Sequence, residues 1–307
     1  MKRDIDMGPA EWVYLNGTVC RASEAMVSPF DRGFLFAHAA YEVTAVFDGK
    51  LIDFSGHVAR LQRTLDGIDV PNAWSASELE AIHQALIEKN RLEEGFVYLQ
   101  VTAGDYGSRD FAGPDMLQPS LFLFCEHRQL IGEKARDGVR STLVEDQRWK
   151  RRDYKTTQLL SQALAYRQAA RLDRFSAILH EDGHVTEAAS ANLWVVLPGE
   201  RLVTRNLGHQ ILPGITRQAV LDQLRVDGLS VEQRAVTVAE LSSAAEIFTT
   251  SATGLVLPII DIDGSPVGSG RPGPVTRRVQ SLYYKAIGAD LAARAPWLRS
   301  EVRADRA

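Results

Sequence analysis

Tyr154-Lys155-Thr156-Thr157-Gln158-Leu159-Leu160 is the stretch on which the reading of this chain turns. Most lysines are solvated, and composition alone gives Lys155 no other role. The residues that follow change that. They are spaced as a helix, expected over 157–172, with Leu159, Leu160, Ala163 and Leu164 on its buried face. A lysine at the head of such a helix is anchored beside an interior wall. Desolvated there, its amine loses basicity and can form a Schiff base with a carbonyl.

Further segments bear on that chemistry. Val185-Thr186-Glu187-Ala188-Ala189-Ser190-Ala191-Asn192 follows a tight turn and precedes a strand. Glu187 could be a solvated loop acid, yet the small residues after it let another surface approach closely. Leu212-Pro213-Gly214-Ile215-Thr216-Arg217 opens a glycine turn directly into a helix. The amides of Ile215 and Thr216 then lie at a positive helix terminus, a ready phosphate cup, unless this is an ordinary helix start. Phe248-Thr249-Thr250-Ser251-Ala252-Thr253-Gly254 is either a second hydroxyl-rich turn for the same anion or a plain strand end. His57-Val58-Ala59-Arg60-Leu61 lies on an early helix, where Arg60 is a surface charge or reaches inward to grip a phosphate with two bonds.

Around these segments the chain reads as α+β. Asn16-Gly17, Asp48-Gly49 and Asp263-Gly264 are hairpin turns, and Asp182-Gly183 is a turn. Helices are expected over 55–65, 76–89, 217–224 and 274–287, and strands over 96–103, 120–125, 139–145, 175–181, 192–197, 246–250 and 258–262. A charged stretch without apolar pattern, 126–138, is the expected linker. It would separate a small N-terminal domain, 1–125, from a large domain, 139–293, followed by a charged tail, 294–307.

The 307 residues carry 45% hydrophobic and 24% charged residues and a formal charge of -4, values of a water-soluble globular chain with no polymer-phosphate or membrane-surface partner. Cys20 and Cys125 lie far apart, the seven histidines have no metal-ligand spacing, and no nucleotide fingerprint is present. A reducing cytoplasm is expected, with no metal. The charged N-terminus, without an apolar run, does not read as a signal peptide.

In this order, the motifs resemble the class IV (fold type IV) aminotransferases. These include D-amino-acid transaminases, branched-chain aminotransferases, R-selective amine transaminases and aminodeoxychorismate lyase. The likeness runs from Tyr14 to Gln280. It implies a two-domain fold, a smaller N-terminal α/β domain and a larger β-barrel-like α/β domain, and pyridoxal 5′-phosphate (PLP) as cofactor. By this resemblance Lys155 holds the cofactor and moves the substrate's Cα proton, and Glu187 pairs with the pyridine nitrogen. Arg60, Ile215 and Thr216 match phosphate ligands, joined by the turn Ser251-Ala252-Thr253, while Leu212 matches the apolar residue against the ring. The likeness also implies a homodimer.

Within the group the chain is most similar to D-amino-acid transaminases, through Phe34-Leu35-Phe36-Ala37-His38-Ala39-Ala40-Tyr41-Glu42-Val43. This implies a D-amino-acid donor and a 2-oxo acid acceptor. Tyr41, with Phe36 and His38, would line the substrate pocket, and Arg109 would clamp the substrate carboxylate. Leu160 stands where branched-chain enzymes carry a tyrosine. The sequence departs from the family at Ala37-His38-Ala39, usually Gly-Asp-Gly, and at Ala103, usually an arginine. Phe111 replaces one branch's histidine, and Ala252 the usual threonine. These changes fall on the substrate side, so an R-amine, branched-chain or lyase activity is the alternative, and a non-catalytic PLP-fold protein the remote one.

Overall fold

The apolar run after Asp31 splits in two, for a local reason. Asp31 caps a short helix, α1 (Arg32–Phe36), by accepting the Gly33 amide at 2.7 Å, and Ala37 ends it with a left-handed φ of 54°. The remainder, Ala39–Phe47, is a strand with side chains alternating between two faces. The computed structural model describes residues 9–113, 116 and 118–298. Within them the chain forms two units, one reaching Gln129 and taking back Tyr154–Gln158, the other comprising Leu130–Asp153 and the chain from Leu159.

The first unit is one antiparallel sheet under two helices. Its strands are β1 (Pro9–Leu15), β2 (Thr18–Arg21), β3 (Ala39–Phe47), β4 (Lys50–Leu51), β5 (Glu94–Thr102) and β6 (Ser120–His127), ordered β2-β1-β6-β5-β3-β4. In register, Tyr41 lies opposite Gln100 and Val43 opposite Tyr98. One face, carrying Ala40, Val46, Val97, Leu99, Leu121 and Leu123, packs against α2 (Phe54–Gly67) and α3 (Ala76–Asn90). The other carries the stacked rings Tyr41, Tyr98 and Phe124.

The second unit holds a mixed sheet. Its strands are β7 (Val139–Glu145), β8 (Ser176–Glu181), β9 (His184–Ala188), β10 (Asn192–Leu197), β11 (Arg201–Thr204), β12 (Val231–Gln233), β13 (Val236–Thr237), β14 (Glu246–Ser251) and β15 (Leu255–Ile262). Their order is β12-β11-β10-β14-β15-β7-β8-β9-β13, with β16 (Ser265–Pro266) on β15. Every residue of β10 is buried, as befits a strand covered on both faces. The helices are α4 (Glu133–Asp137), α5 (Leu160–Arg171), α6 (Ile215–Val226), α7 (Val238–Ser242), α8 (Pro274–Ala286) and α9 (Leu291–Arg294). Of the stretch expected to be a linker, 126–138, the start continues β6 to His127 and Glu133–Asp137 forms α4. Residues 1–8 and the end of the expected tail, 299–307, lie outside the described residues.

One expectation fails. Leu160 is 73% and Leu164 52% exposed, and Ala163 is exposed as well, so they do not bury α5. Ala165 and Ala169, one turn apart, face the core instead, because small side chains let the helix lie close on β8. The helix also starts three residues later than expected. What anchors Lys155 is therefore not the face of α5.

Candidate active site

The backbone around Lys155 is laid along β3. The Tyr41 amide donates to the Lys155 carbonyl at 3.0 Å, the Thr157 amide to Ala39 at 3.1 Å, and Ala40 bridges Thr156. Lys155 itself donates its amide to Thr64 Oγ1 on α2 at 3.3 Å. Gly67 leaves room for the Tyr154 ring, which any Cβ there would strike. So held, the half-buried Lys155 places Nζ 4.0 Å from the centre of the Tyr41 ring. Lys155 and Tyr41 are thus brought together.

On the opposite face of β3, Glu42 points at α2. Arg60 grips it with Nε at 2.8 Å and Nη2 at 2.7 Å, while His57 Nδ1 lies 2.7 Å away. All three side chains are buried. Burial alone would raise the Glu42 carboxyl; the Arg60 charge and the bonds from Arg60 and His57 overcome it and hold the acid far below the usual range. Burial pushes His57 down. Arg60, expected as a phosphate ligand, thus devotes Nε and Nη2 to a carboxylate that the sequence reading left out.

Of the residues read as substrate-binding, Phe36, His38 and Arg109 lie in one cluster in the same unit, while Tyr41 stacks on Tyr98 beside Lys155. Phe36 and Phe111 have ring centres 5.1 Å apart, and the Arg109 guanidinium lies 5.5 Å from the first ring and 5.0 Å from the second. His38 accepts from Arg32 Nε at 3.3 Å through Nδ1, so its Nε2 carries the proton and donates to the Ile68 carbonyl at 2.7 Å. Both ring nitrogens of His38 are therefore engaged within the fold.

In the second unit, Glu187 is buried at the end of β9 with both oxygens bonded. Oε1 receives Arg148 Nη1 at 2.5 Å, Oε2 receives Asn192 Nδ2 at 2.8 Å, and the Leu212 amide lies 3.2 and 3.3 Å from the two. Arg148 forms a fork with Asp146, at 2.9 Å through Nε and 2.7 Å through Nη2, and Thr186 donates to the same acid at 2.6 Å. Burial pushes the Glu187 carboxyl up; the adjacent Arg148 charge pulls the other way. Leu212 is half-buried beside it.

The loop from Leu212 ends in α6, whose first turn has no side-chain cap at Gly214. The amides of Ile215 and Thr216 are then among the donors a helix cannot satisfy within itself. Asn192 binds this loop as well, donating to the Leu212 carbonyl at 2.8 Å, and a Cβ on Gly214 would run into its Oδ1. The turn between β14 and β15 is pinned by Ser251 Oγ, which accepts the Gly254 amide at 3.0 Å; Ala252 and Thr253 form its half-buried crown. One end of this donor set is a buried acid for a protonated ring nitrogen, and the other is a cap-free helix terminus for a dianion. That chemistry fits PLP.

Arg148, Asp146, Asn192 and Glu42 escaped sequence reasoning. Arg148 belongs to a basic run, Arg148-Trp149-Lys150-Arg151-Arg152, that reads as solvated. Glu42 did leave a signal, an acid at the inward phase of an alternating strand.

Comparison with known proteins bears on all of this. The family model for class IV amino-transferases matches residues 39–262. A D-alanine aminotransferase of Bacillus licheniformis is 35% identical over 280 residues, 91% of this chain and 98% of that protein. The branched-chain amino acid aminotransferase of Escherichia coli shares the fold with a TM-score of 0.83 at 23% identity, over 90% of this chain and 94% of that one. So does the branched-chain amino acid aminotransferase of Thermobaculum terrenum, solved in its PLP form, with a TM-score of 0.79 at 21% identity over 93% and 97%. Family model, relatives and fold agree: this chain belongs to the class IV aminotransferases, enzymes of fold type IV that work with pyridoxal 5′-phosphate.

Proposed function

We propose that the chain moves the amino group of a D-amino acid to a 2-oxo acid, such as pyruvate or 2-oxoglutarate, by ping-pong exchange. The observation that carries the chemistry is the buried Glu187, bonded by Arg148, Asn192 and the Leu212 amide. The D-amino-acid assignment is supported by the curated relatives named for D-alanine.

When bound, PLP supplies an electron sink for the negative charge that develops at the substrate's Cα. Lys155 would hold the cofactor through Nζ and, as a free amine, would take the substrate's Cα proton and deliver it to the cofactor carbon that keeps the amino nitrogen. The Tyr41 ring beneath Nζ stabilises the charged amine in that exchange. Glu187 keeps the ring nitrogen protonated. Leu212 would cover the ring, the Ile215 and Thr216 amides with Arg60 and the turn Ser251-Ala252-Thr253 would bind phosphate, and Arg109 would bind the substrate carboxylate beside Tyr41, Phe36 and His38.

A visible absorption band should appear with PLP and be lost on borohydride reduction or in Lys155→Ala. A protein that stays colourless with added PLP overturns the assignment of Lys155. A donor panel of D-alanine, D-glutamate, L-leucine and (R)-1-phenylethylamine then tests the substrate class, and transfer from L-leucine alone overturns it. One observation favours an amine donor as the second reading: Ala103, where the family carries an arginine, is fully buried and brings no charge. A cytoplasmic homodimer completes the proposal; the free thiols of Cys20 and Cys125 suit a reducing compartment.

A further inference from the structure

We propose that Arg32 is a positioning residue that presents Arg109 to the substrate carboxylate. This rests on Arg109 being the carboxylate clamp.

Arg32 opens α1 and is buried, yet its guanidinium makes no bond to an acid among the described residues. Nη1 donates to the Asp110 carbonyl at 2.6 Å, Nη2 to the Phe111 carbonyl at 2.8 Å, and Nε to His38 Nδ1 at 3.3 Å. The two carbonyls belong to the residues directly after Arg109. A planar fork bonded to two successive carbonyls fixes both the position and the direction of the chain there. His38 is fixed in turn by the Ile68 carbonyl, so the fork cannot rotate freely.

The remaining contacts point the same way. The Arg32 guanidinium lies 5.0 Å from the Phe36 ring and 5.8 Å from that of Tyr106, whose hydroxyl donates to the Asp110 carbonyl at 3.0 Å. The Arg32 amide donates to Gly104 at 2.9 Å, tying α1 to the root of the same loop. Phe36 is shared by the two arginines, which brings Arg109 to a defined place while leaving its side chain exposed. Burying a cation whose acceptors among the described residues are all neutral is unfavourable by itself. Its return is a loop held in one geometry directly behind Arg109.

The test uses the PLP-loaded full chain and its best carboxylate donor. In Arg32→Lys, which keeps the charge but not the fork, and in Arg32→Gln, KM for donor and for 2-oxo acid should rise on the order of tenfold, the worth of a charged hydrogen bond. Saturating kcat should stay within about twofold, and PLP affinity by absorbance titration should not change. Tryptic cleavage after Arg109 should quicken in both variants. In an Arg109→Ala background, replacing Arg32 should raise KM no further. Additive effects, an equal fall in kcat, or unchanged KM and proteolysis overturn the role of Arg32. If Arg109→Ala alone leaves KM unchanged, it is the clamp reading of Arg109 that falls.

Discussion

At the residue scale, a side chain acts through what holds it. Glu187 can serve a ring nitrogen only while charged, and burial works against that charge. Arg148 offsets part of it, and Asp146 in turn orients Arg148. Arg148→Gln should therefore lower kcat by about ten- to a hundredfold, the range of a lost charge-assisted hydrogen bond. It should also move the pH at which the visible band titrates, with Arg148→Lys restoring part of both. A normal band and rate in Arg148→Gln would show that Glu187 needs no such partner. Lys155 and Glu187 could be found in the sequence because their motifs stand in a family order. Arg148 could not, because in a run of four basic residues nothing local marks Arg148 and Arg152 as the two that turn inward.

At the element scale, turn chemistry was the most legible layer. Asn16-Gly17, Asp48-Gly49, Asp182-Gly183 and Asp263-Gly264 all have positive φ at both residues, the conformation their residue types favour. Helical phase was less so: the period of α5 is visible, but the exposed Leu160 and Leu164 outweigh the alanines that face the core. Helix α3 hides a further device. His83 Nδ1 lies 2.7 Å from the Leu79 carbonyl and so carries the proton, which leaves Nε2 bare and buried without a partner among the described residues. Burial pushes His83 down to about 4 from 6.5. The unfolded chain then binds the extra proton between those values, so this stability is complete above about pH 6.5 and fades as pH falls toward 4. At pH 5 the loss from this group should reach about 2 kcal/mol. Denaturant unfolding at pH 7 and pH 5 should show it, and His83→Gln should reduce the difference; an unchanged pH dependence in the variant would mean the histidine is protonated without penalty.

At the scale of the whole molecule, continuity of sequence misled most. Lys155 reads as part of the large domain, but Tyr154–Gln158 lies along β3 of the first unit while the flanking chain belongs to the second. Strand-to-strand bonding decides this, and nothing in the five residues announces it. The same scale holds the remaining apolar surface. Met26 is 85%, Phe34 75% and Leu160 73% exposed, with Val27, Phe30 and Leu164 also largely open. Single exposed apolar residues are ordinary, but clusters of large ones at 26–34 and along α5 are more than an isolated chain usually leaves in water. The homodimer would bury them. Sedimentation equilibrium should give twice the 33.9 kDa of one chain. Leu160→Asp with Leu164→Asp should weaken self-association without disturbing the monomer's fold, since neither side chain contributes to the core. A monomer at micromolar concentration would overturn the dimer, and a dimer insensitive to both substitutions would place its interface away from α5.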